Sequence, residues 1–251
     1  MTVTKYSASG NDFIFIIRKK KKDRSKLAKR LCHRQNGVGA DGLVVVMPHA
    51  EHDFEWDFYN ADGSRATMCG NASRAAAHFA IEKGISTDGE SEFLTGAGVI
   101  KASVNGNYVT TDMTKPIILS QELEEYGETW WFIDTGVPHL IAIRENVDEF
   151  DLEQAADLRK RFNANVNICS IEDEETMLVR TFERGVEDET LACGTGMVAC
   201  FIRANNETLV NDNIKTLPKS GEELYISYEE DEDVYRFAGQ VKKTFVAETV
   251  D

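Results

Sequence analysis

The sequence repeats itself at about half its length. Cys69-Gly70-Asn71-Ala72 and Cys193-Gly194-Thr195-Gly196 stand 124 residues apart, and each opens a stretch rich in small residues. Ser9-Gly10-Asn11-Asp12-Phe13-Ile14 and Thr135-Gly136-Val137-Pro138-His139-Leu140-Ile141 share a pattern at a spacing of 126. A polar residue, Asn60 in one half and Arg184 in the other, precedes each of those cysteines by nine positions. A repeat of this period constrains the fold more than composition does, because each half must close a core of its own. The expectation is an α+β chain of two pseudo-symmetric lobes, residues 1–114 and 115–239.

Hydrophobic periodicity fills in the elements. Strands are predicted over 13–17, 43–47 and 54–58, a buried helix over 73–82 closed by Gly84, and a hairpin of 99–104 with 108–113 around Asn105-Gly106. The second half predicts strands over 130–133, 140–143, 177–182, 224–228 and 234–237. It also predicts helices over 151–162 and 194–203. The basic block from Arg18 to Arg30 reads as a helix capped by Asp23, with Leu27, Ala28 and Leu31 on its apolar face and its lysines in solvent. The acidic run Glu229 to Asp233 reads as a solvated hairpin tip.

Composition removes several functions. Forty-three acidic against 28 basic residues give a net charge of −15, which repels phosphate backbones and argues against a nucleic-acid partner. No apolar run approaches a membrane span and the start lacks a signal-peptide core, so the expected setting is the cytoplasm, with no membrane partner. The five cysteines are odd in number and form no Cys-x-x-Cys pair, which leaves neither a disulfide framework nor a zinc site. Gly37-x-Gly39-x-x-Gly42 spells a dinucleotide fingerprint, but a helix precedes it and a strand follows, the reverse of what pyrophosphate binding needs. His49-Ala50-Glu51-His52 lacks a third metal ligand. Cys32, Cys169 and Cys200 read as core residues.

Cys69 and Cys193 escape that reading. Each should sit at a helix N-terminus, where unpaired N–H groups and the helix dipole favour a thiolate. The glycine that follows lets a ligand approach the backbone, and the next N–H groups make an anion cradle. Two such cradles at a cleft between the lobes would hold one carboxylate between opposed thiols. That arrangement inverts a Cα–H centre: one thiolate takes the proton and the other thiol returns one to the opposite face.

Four stretches carry a family resemblance. Asn60-Ala61-Asp62-Gly63-Ser64-Arg65-Ala66-Thr67-Met68-Cys69-Gly70-Asn71-Ala72-Ser73-Arg74 resembles the signature of the diaminopimelate epimerase family. So do Gly10-Asn11-Asp12-Phe13, Gly37-Val38-Gly39-Ala40-Asp41-Gly42, and Glu183-Arg184-Gly185 followed by Glu189 to Gly196. The resemblance implies a cofactor-independent enzyme, with no metal, that interconverts LL- and meso-2,6-diaminopimelate. It also implies barrel-like, mostly antiparallel sheets, each around a central helix, with a strand at about 240–251 returning to the first lobe. Cys69 and Cys193 would be the base and acid, and backbone groups of Gly70, Asn71, Gly194 and Thr195 would bind the reacting carboxylate. Asn11 would lie near the reacting centre. Asn60, Asn167, Glu183 and Arg184 would hold the distal end, with Asn165 competing for the place given to Asn167. The chain departs from the family pattern at Val137, where members commonly carry Asn, and at Gly42, where many carry Gln. His139 keeps its family position, with a packing and a catalytic role both open. A homodimer is among the assemblies this reading allows. Two other functions fit parts of the pattern: another amino-acid racemase on the same scaffold, against which Asn71 and Arg184 argue, and a thiol redox protein, for which two anion cradles would have no use.

Overall fold

The computed structural model describes residues 1–250 and divides the chain into two compact units. One holds residues 1–112 and the segment from 238 onward; the other holds 113–237.

The first unit runs β1 (Thr2–Ala8), β2 (Asn11–Ile17), α1 (Ser25–Cys32), β3 (Gly42–Met47), β4 (Phe54–Asn60), β5 (Arg65–Ala66), α2 (Gly70–Glu82), β6 (Glu90–Thr95), β7 (Gly98–Asn105) and β8 (Tyr108–Asp112). β1 and β2 are antiparallel, β2 and β3 parallel with α1 as the crossover, and β3 and β4 antiparallel. The other edge of β4 is shared. Near its start it pairs in parallel with β6, and near its end antiparallel with β5. β6, β7 and β8 then form a meander.

Helix α2 fills the inside of this sheet, in contact with β1, β2, β6, β7 and β8. Its buried face is Ala72, Ala75, Ala76, Ala77 and Ala80, packed against Tyr6, Phe15, Phe54, Trp56 and Phe93. Alanine is the strongest helix former and takes little room, so large strand residues can close around the helix on every side. Helix α1 covers the outer face through Ala28, Leu31 and Cys32, against Ile14, Leu43, Val45 and Tyr59. It starts at Ser25 with Arg24 as N-cap, one residue later than a cap at Asp23 predicts. The Asp23 carboxylate nonetheless accepts the Ser25 N–H at 3.0 Å and its hydroxyl at 2.7 Å.

The second unit repeats the order: β9 (Ile117–Glu125), β10 (Glu128–Asp134), β11 (Pro138–Ile143), α3 (Leu152–Phe162), β12 (Asn165–Asp173), β13 (Thr176–Glu183), β14 (Asp188–Glu189), α4 (Gly194–Asn206), β15 (Asn213–Pro218), β16 (Leu224–Glu229) and the first part of β17 (Val234–Gln240), whose last three residues belong to the first unit. β11 and β12 are parallel with α3 between them, β12 and β13 antiparallel, and β13 in turn carries β14 and β15 on one edge. Met197, Val198, Phe201 and Ile202 of α4 lie in the core with Trp131, Ile133, Val179 and Phe237. Asp151 caps α3 by accepting from Glu153 and Gln154, and Asn163 ends it in the left-handed region. The acidic run is an exposed 3₁₀ turn, Glu230–Glu232. The last strand, β18 (Lys242–Glu248), pairs antiparallel with β1 and so belongs to the first unit.

Both units therefore show the sheet-around-helix architecture. Patterning overlooked β1, β6, β9, β12 and β15. In β12 the opening Asn165-Val166-Asn167-Ile168 alternates polar and apolar residues, yet its first six residues are all buried, so the polar face is not a solvent face.

Candidate active site

Cys69 is the N-cap residue of α2, in extended conformation at φ −153°, ψ 119°. The N–H groups of Gly70 and Asn71 belong to the first turn, which has no intrahelical acceptors for them. A Cβ on Gly70 would touch nothing within 4 Å. A polar chain braces this turn from behind. The Asn71 amide donates to Asn11 Oδ1 at 2.8 Å, and Asn11 donates to Asp41 Oδ2 at 3.0 Å. Arg74, one helical turn further on and fully buried, donates to Asn71 Oδ1 at 2.9 Å and to the Ser9 hydroxyl at 2.6 Å. Asn60 ends β4 at the surface and donates to the Ser64 hydroxyl at 2.9 Å.

Cys193 is the N-cap residue of α4, again extended, at φ −127°, ψ 105°. Its Sγ lies 3.5 Å from the Thr195 hydroxyl, and that hydroxyl lies 3.0 Å from His139 Nε2. The Asn167 amide nitrogen donates to the Leu140 carbonyl and lies 3.0 Å from His139 Nδ1. A carbonyl can only accept, which fixes the orientation of this amide and makes Nδ1 an acceptor. The proton of a neutral imidazole then sits on Nε2 and donates to Thr195 Oγ1, leaving the threonine O–H to point at the thiol. His139 is completely buried. Burial, with the positive charge of Arg184 adding to it, pushes its pKa down to about 3, so the ring is neutral near pH 7.

Both N–H donors of Asn167 are thereby committed. Its Oδ1 accepts the Thr181 hydroxyl at 2.9 Å, and the residue is completely buried. Asn165 lies two positions earlier on the same face of β12, and its Oδ1 accepts the Arg184 N–H at 2.8 Å. Of the two, Asn165 is next to the residues that end β13. Arg184 donates to the Asn163 carbonyl at 3.0 Å. The Glu183 carboxyl is pushed up by burial, with the Thr190 hydroxyl pulling the other way. Among the described residues, no lysine or arginine pairs with it. Gly196 is required by close approach: a Cβ there would collide with Asn167 Oδ1.

Sequence patterning overlooked Ser9, Asp41, Arg74, Thr135 and Thr181. Ser9 and Thr135 had a signal, through their matching places in the repeat; the Thr135 hydroxyl donates to the Thr195 carbonyl at 3.0 Å. At Gly42 a side chain would run into the Phe58 ring 2.5 Å from the ideal Cβ position, so Phe58 occupies the space a longer residue would need. Gly37 and Gly39 lie between α1 and β3, and Gly42 is the first residue of β3. His52 Nδ1 lies 2.7 Å from a Glu92 carboxylate oxygen. Among the described residues no three His, Cys, Asp or Glu side chains cluster as metal ligands, and no helix is long and apolar enough to cross a membrane.

This fold recurs in solved structures. A putative phenazine biosynthesis PhzC/PhzF protein from Clostridium difficile superposes with a TM-score of 0.76 at 14% identity, over 100% of both chains. A probable proline racemase from Agrobacterium radiobacter does so with a TM-score of 0.75 at 13% identity, over 99% of this chain and 92% of that one. The architecture is thus that of the PhzF and proline racemase type. The sequence narrows it further. The diaminopimelate epimerase family profile matches residues 3–119 and 131–244. A diaminopimelate epimerase from Nitratiruptor sp. is 56% identical over 245 residues, 98% of this chain and 97% of that one. The chain belongs to the diaminopimelate epimerase family, and as such is an isomerase.

Proposed function

We propose that the protein interconverts LL- and meso-2,6-diaminopimelate by a two-base thiol mechanism. The observation that carries this reading is the double N-cap: two cysteines, each followed by glycine, each opening a 13-residue helix in its own copy of the repeat. Inversion of a Cα–H centre needs a base on one face and an acid on the other, and two equivalent thiols serve in either direction. The thiolate removes the α-proton, and the C–H electron pair passes into the adjacent carboxylate as an enediolate. The other thiol then protonates the carbon from the opposite face. The enzyme is left with its proton on the first cysteine, set for the reverse substrate.

The first-turn N–H groups of Gly70, Asn71, Gly194 and Thr195 suit the carboxylate on which charge builds. Asn11, tied to Asn71, stands near the reacting carbon. The distal amino acid carries one anion and one cation. Arg184 suits the carboxylate and Glu183 the ammonium, which would supply the counter-charge its desolvated carboxyl lacks. Asn60 and Asn165 complete that end; Asn165 is preferred to Asn167 because both N–H donors of the Asn167 amide are already committed, to His139 and Leu140. A pair of thiols performs this chemistry without a cofactor. The same reading sets the enzyme in the cytoplasm, acting on a free small molecule.

Solvent-exchange kinetics test it. In D₂O, each stereoisomer should acquire one deuterium at one α-carbon as its epimer appears. Changing either Cys69 or Cys193 to Ala should stop epimerisation by at least about 100-fold while the fold is retained. Epimerisation near the native rate in either variant would reject the mechanism.

A further inference from the structure

The split edge of β4 leaves an opening that its counterpart in the second unit does not have. β6 pairs with β4 at Phe54 and Glu55, and β5 pairs with it at Phe58 and Tyr59. Trp56 and Asp57, between them, meet no strand on that edge. On β13 the same gap falls between β15, which pairs at Thr176 to Val179, and β14, which pairs at Phe182 and Glu183. Tyr59 and Phe182 both lie on the outer, α1- or α3-covered face. Matching them places Arg180 opposite Asp57, Glu189 opposite Arg65 and Lys219 opposite Gly96. In the second unit these residues plug the gap. Arg180 pairs with Glu189, Lys219 reaches Glu189 at 2.5 Å, and the Glu189 side chain is only 5% exposed.

In the first unit the charges are reversed and the plug is missing. Gly96 offers no side chain in the place of Lys219. Asp57 Oδ1 is 3.9 Å from Arg65 and 4.0 Å from Lys21, beyond hydrogen-bond reach. Asp57 is 93% buried by its 7% exposure, yet its Oδ2 has no hydrogen-bond partner, and neither has the buried Trp56 indole N–H. A cavity of about 210 Å³ remains, with Lys21 and Arg65 at its mouth and Phe58, Leu94 and Thr95 along its walls. Both cations are more than half exposed; Lys21 is 3.4 Å from Glu55, which also lines the cavity, and Arg65 donates to the Tyr59 hydroxyl at 3.1 Å. Buried polar groups are normally satisfied, and those left over call for an occupant.

We infer that this cavity is a second binding site, separate from the thiols, for a free zwitterionic α-amino acid with a short aliphatic side chain. The ammonium group sits on Asp57, the carboxylate lies between Lys21 and Arg65, and the aliphatic carbons lie against Phe58 and Leu94. The cavity is wide enough for several water-sized groups, which admits a short aliphatic amino acid such as norvaline.

Isothermal titration calorimetry with L-norvaline tests this, beside norvaline amide, which lacks the carboxylate, and pentanoate, which lacks the ammonium. Norvaline should bind the native protein, and each analogue should bind about tenfold more weakly or worse. Asp57→Asn and Lys21→Gln should each weaken norvaline by a similar factor, with circular dichroism melts establishing that both variants fold. The Lys21 side chain is 58% exposed, so that variant keeps the test decisive if Asp57→Asn does not fold. No binding to the native protein, equal binding of the analogues, or affinity unchanged in the folded variants would overturn the site. The readout involves no turnover, so either outcome leaves the two-thiol mechanism standing.

Discussion

Acidifying the protein from pH 7 to pH 5 should destabilise it through His139, by an amount the structure allows us to work out. The imidazole has an unfolded pKa of 6.5 and a folded one of about 3. Between those values the unfolded chain binds a proton that the folded chain refuses, so stability falls as pH drops below 6.5 and the loss levels off near pH 3. Integrating the linkage, the contribution of this one residue is ~0.2 kcal/mol at pH 7 and ~2 kcal/mol at pH 5. The structural cause is burial: the ring is completely desolvated, and the positive charge of Arg184 adds to that, while the hydrogen bond with Asn167 pulls the other way. Urea denaturation of the native protein and of His139→Gln at pH 7, 6 and 5 would measure it. Taking the difference between the two proteins cancels every other titrating group. The variant should be less stable at pH 7, with the gap shrinking by about 2 kcal/mol at pH 5. A gap that stays constant across this range would refute the neutral state of the buried His139 ring.

Two further outcomes follow from contacts already described. Gly196→Ala should destabilise the fold by ~2–4 kcal/mol, from overpacking and a disturbed Thr181–Asn167 bond, read as a lower thermal midpoint; an unchanged midpoint would mean β12 and α4 are not in the contact described. Arg184→Met should lose ~2–5 kcal/mol of transition-state binding, measured as kcat/KM for diaminopimelate, whereas Arg24→Met should lose about none. An Arg184→Met enzyme with lowered thermal midpoint but native kcat/KM would reduce Arg184 to a structural role.

What could be read from the sequence was what local pattern controls. Helices α2 and α4 and the N-terminal place of both thiols follow from Cys-Gly before a small-residue run, and α3 follows from Asp151 and its apolar spacing. Depth within a strand could not be read. Asn165 and Asn167 share a face, and nothing in their spacing tells that one ends beside Arg184 while the other is spent on His139, Leu140 and Thr181. Arg74 was equally hidden. An arginine on a helix usually lies at the surface, and its burial here depends on Ser9, 65 residues away along the chain. β14 is two residues long, too short for any periodicity, yet it sets one side of the gap on β13.

The pairing of β18 with β1 bears on how the chain folds as it is made. Met1 and Thr249 exchange backbone hydrogen bonds across 248 residues, at 3.1 and 3.0 Å. The first unit, although it starts first, cannot finish until the ribosome has delivered its closing strand. The second unit is one continuous stretch of chain and needs no strand from a distant part of the sequence. At about 5–20 residues per second, β1 waits on the order of ten seconds or more with one edge unpaired. An open edge of that kind invites pairing with another chain. β1 carries Lys5 and two threonines within its seven residues, a composition that discourages such an encounter until β18 arrives.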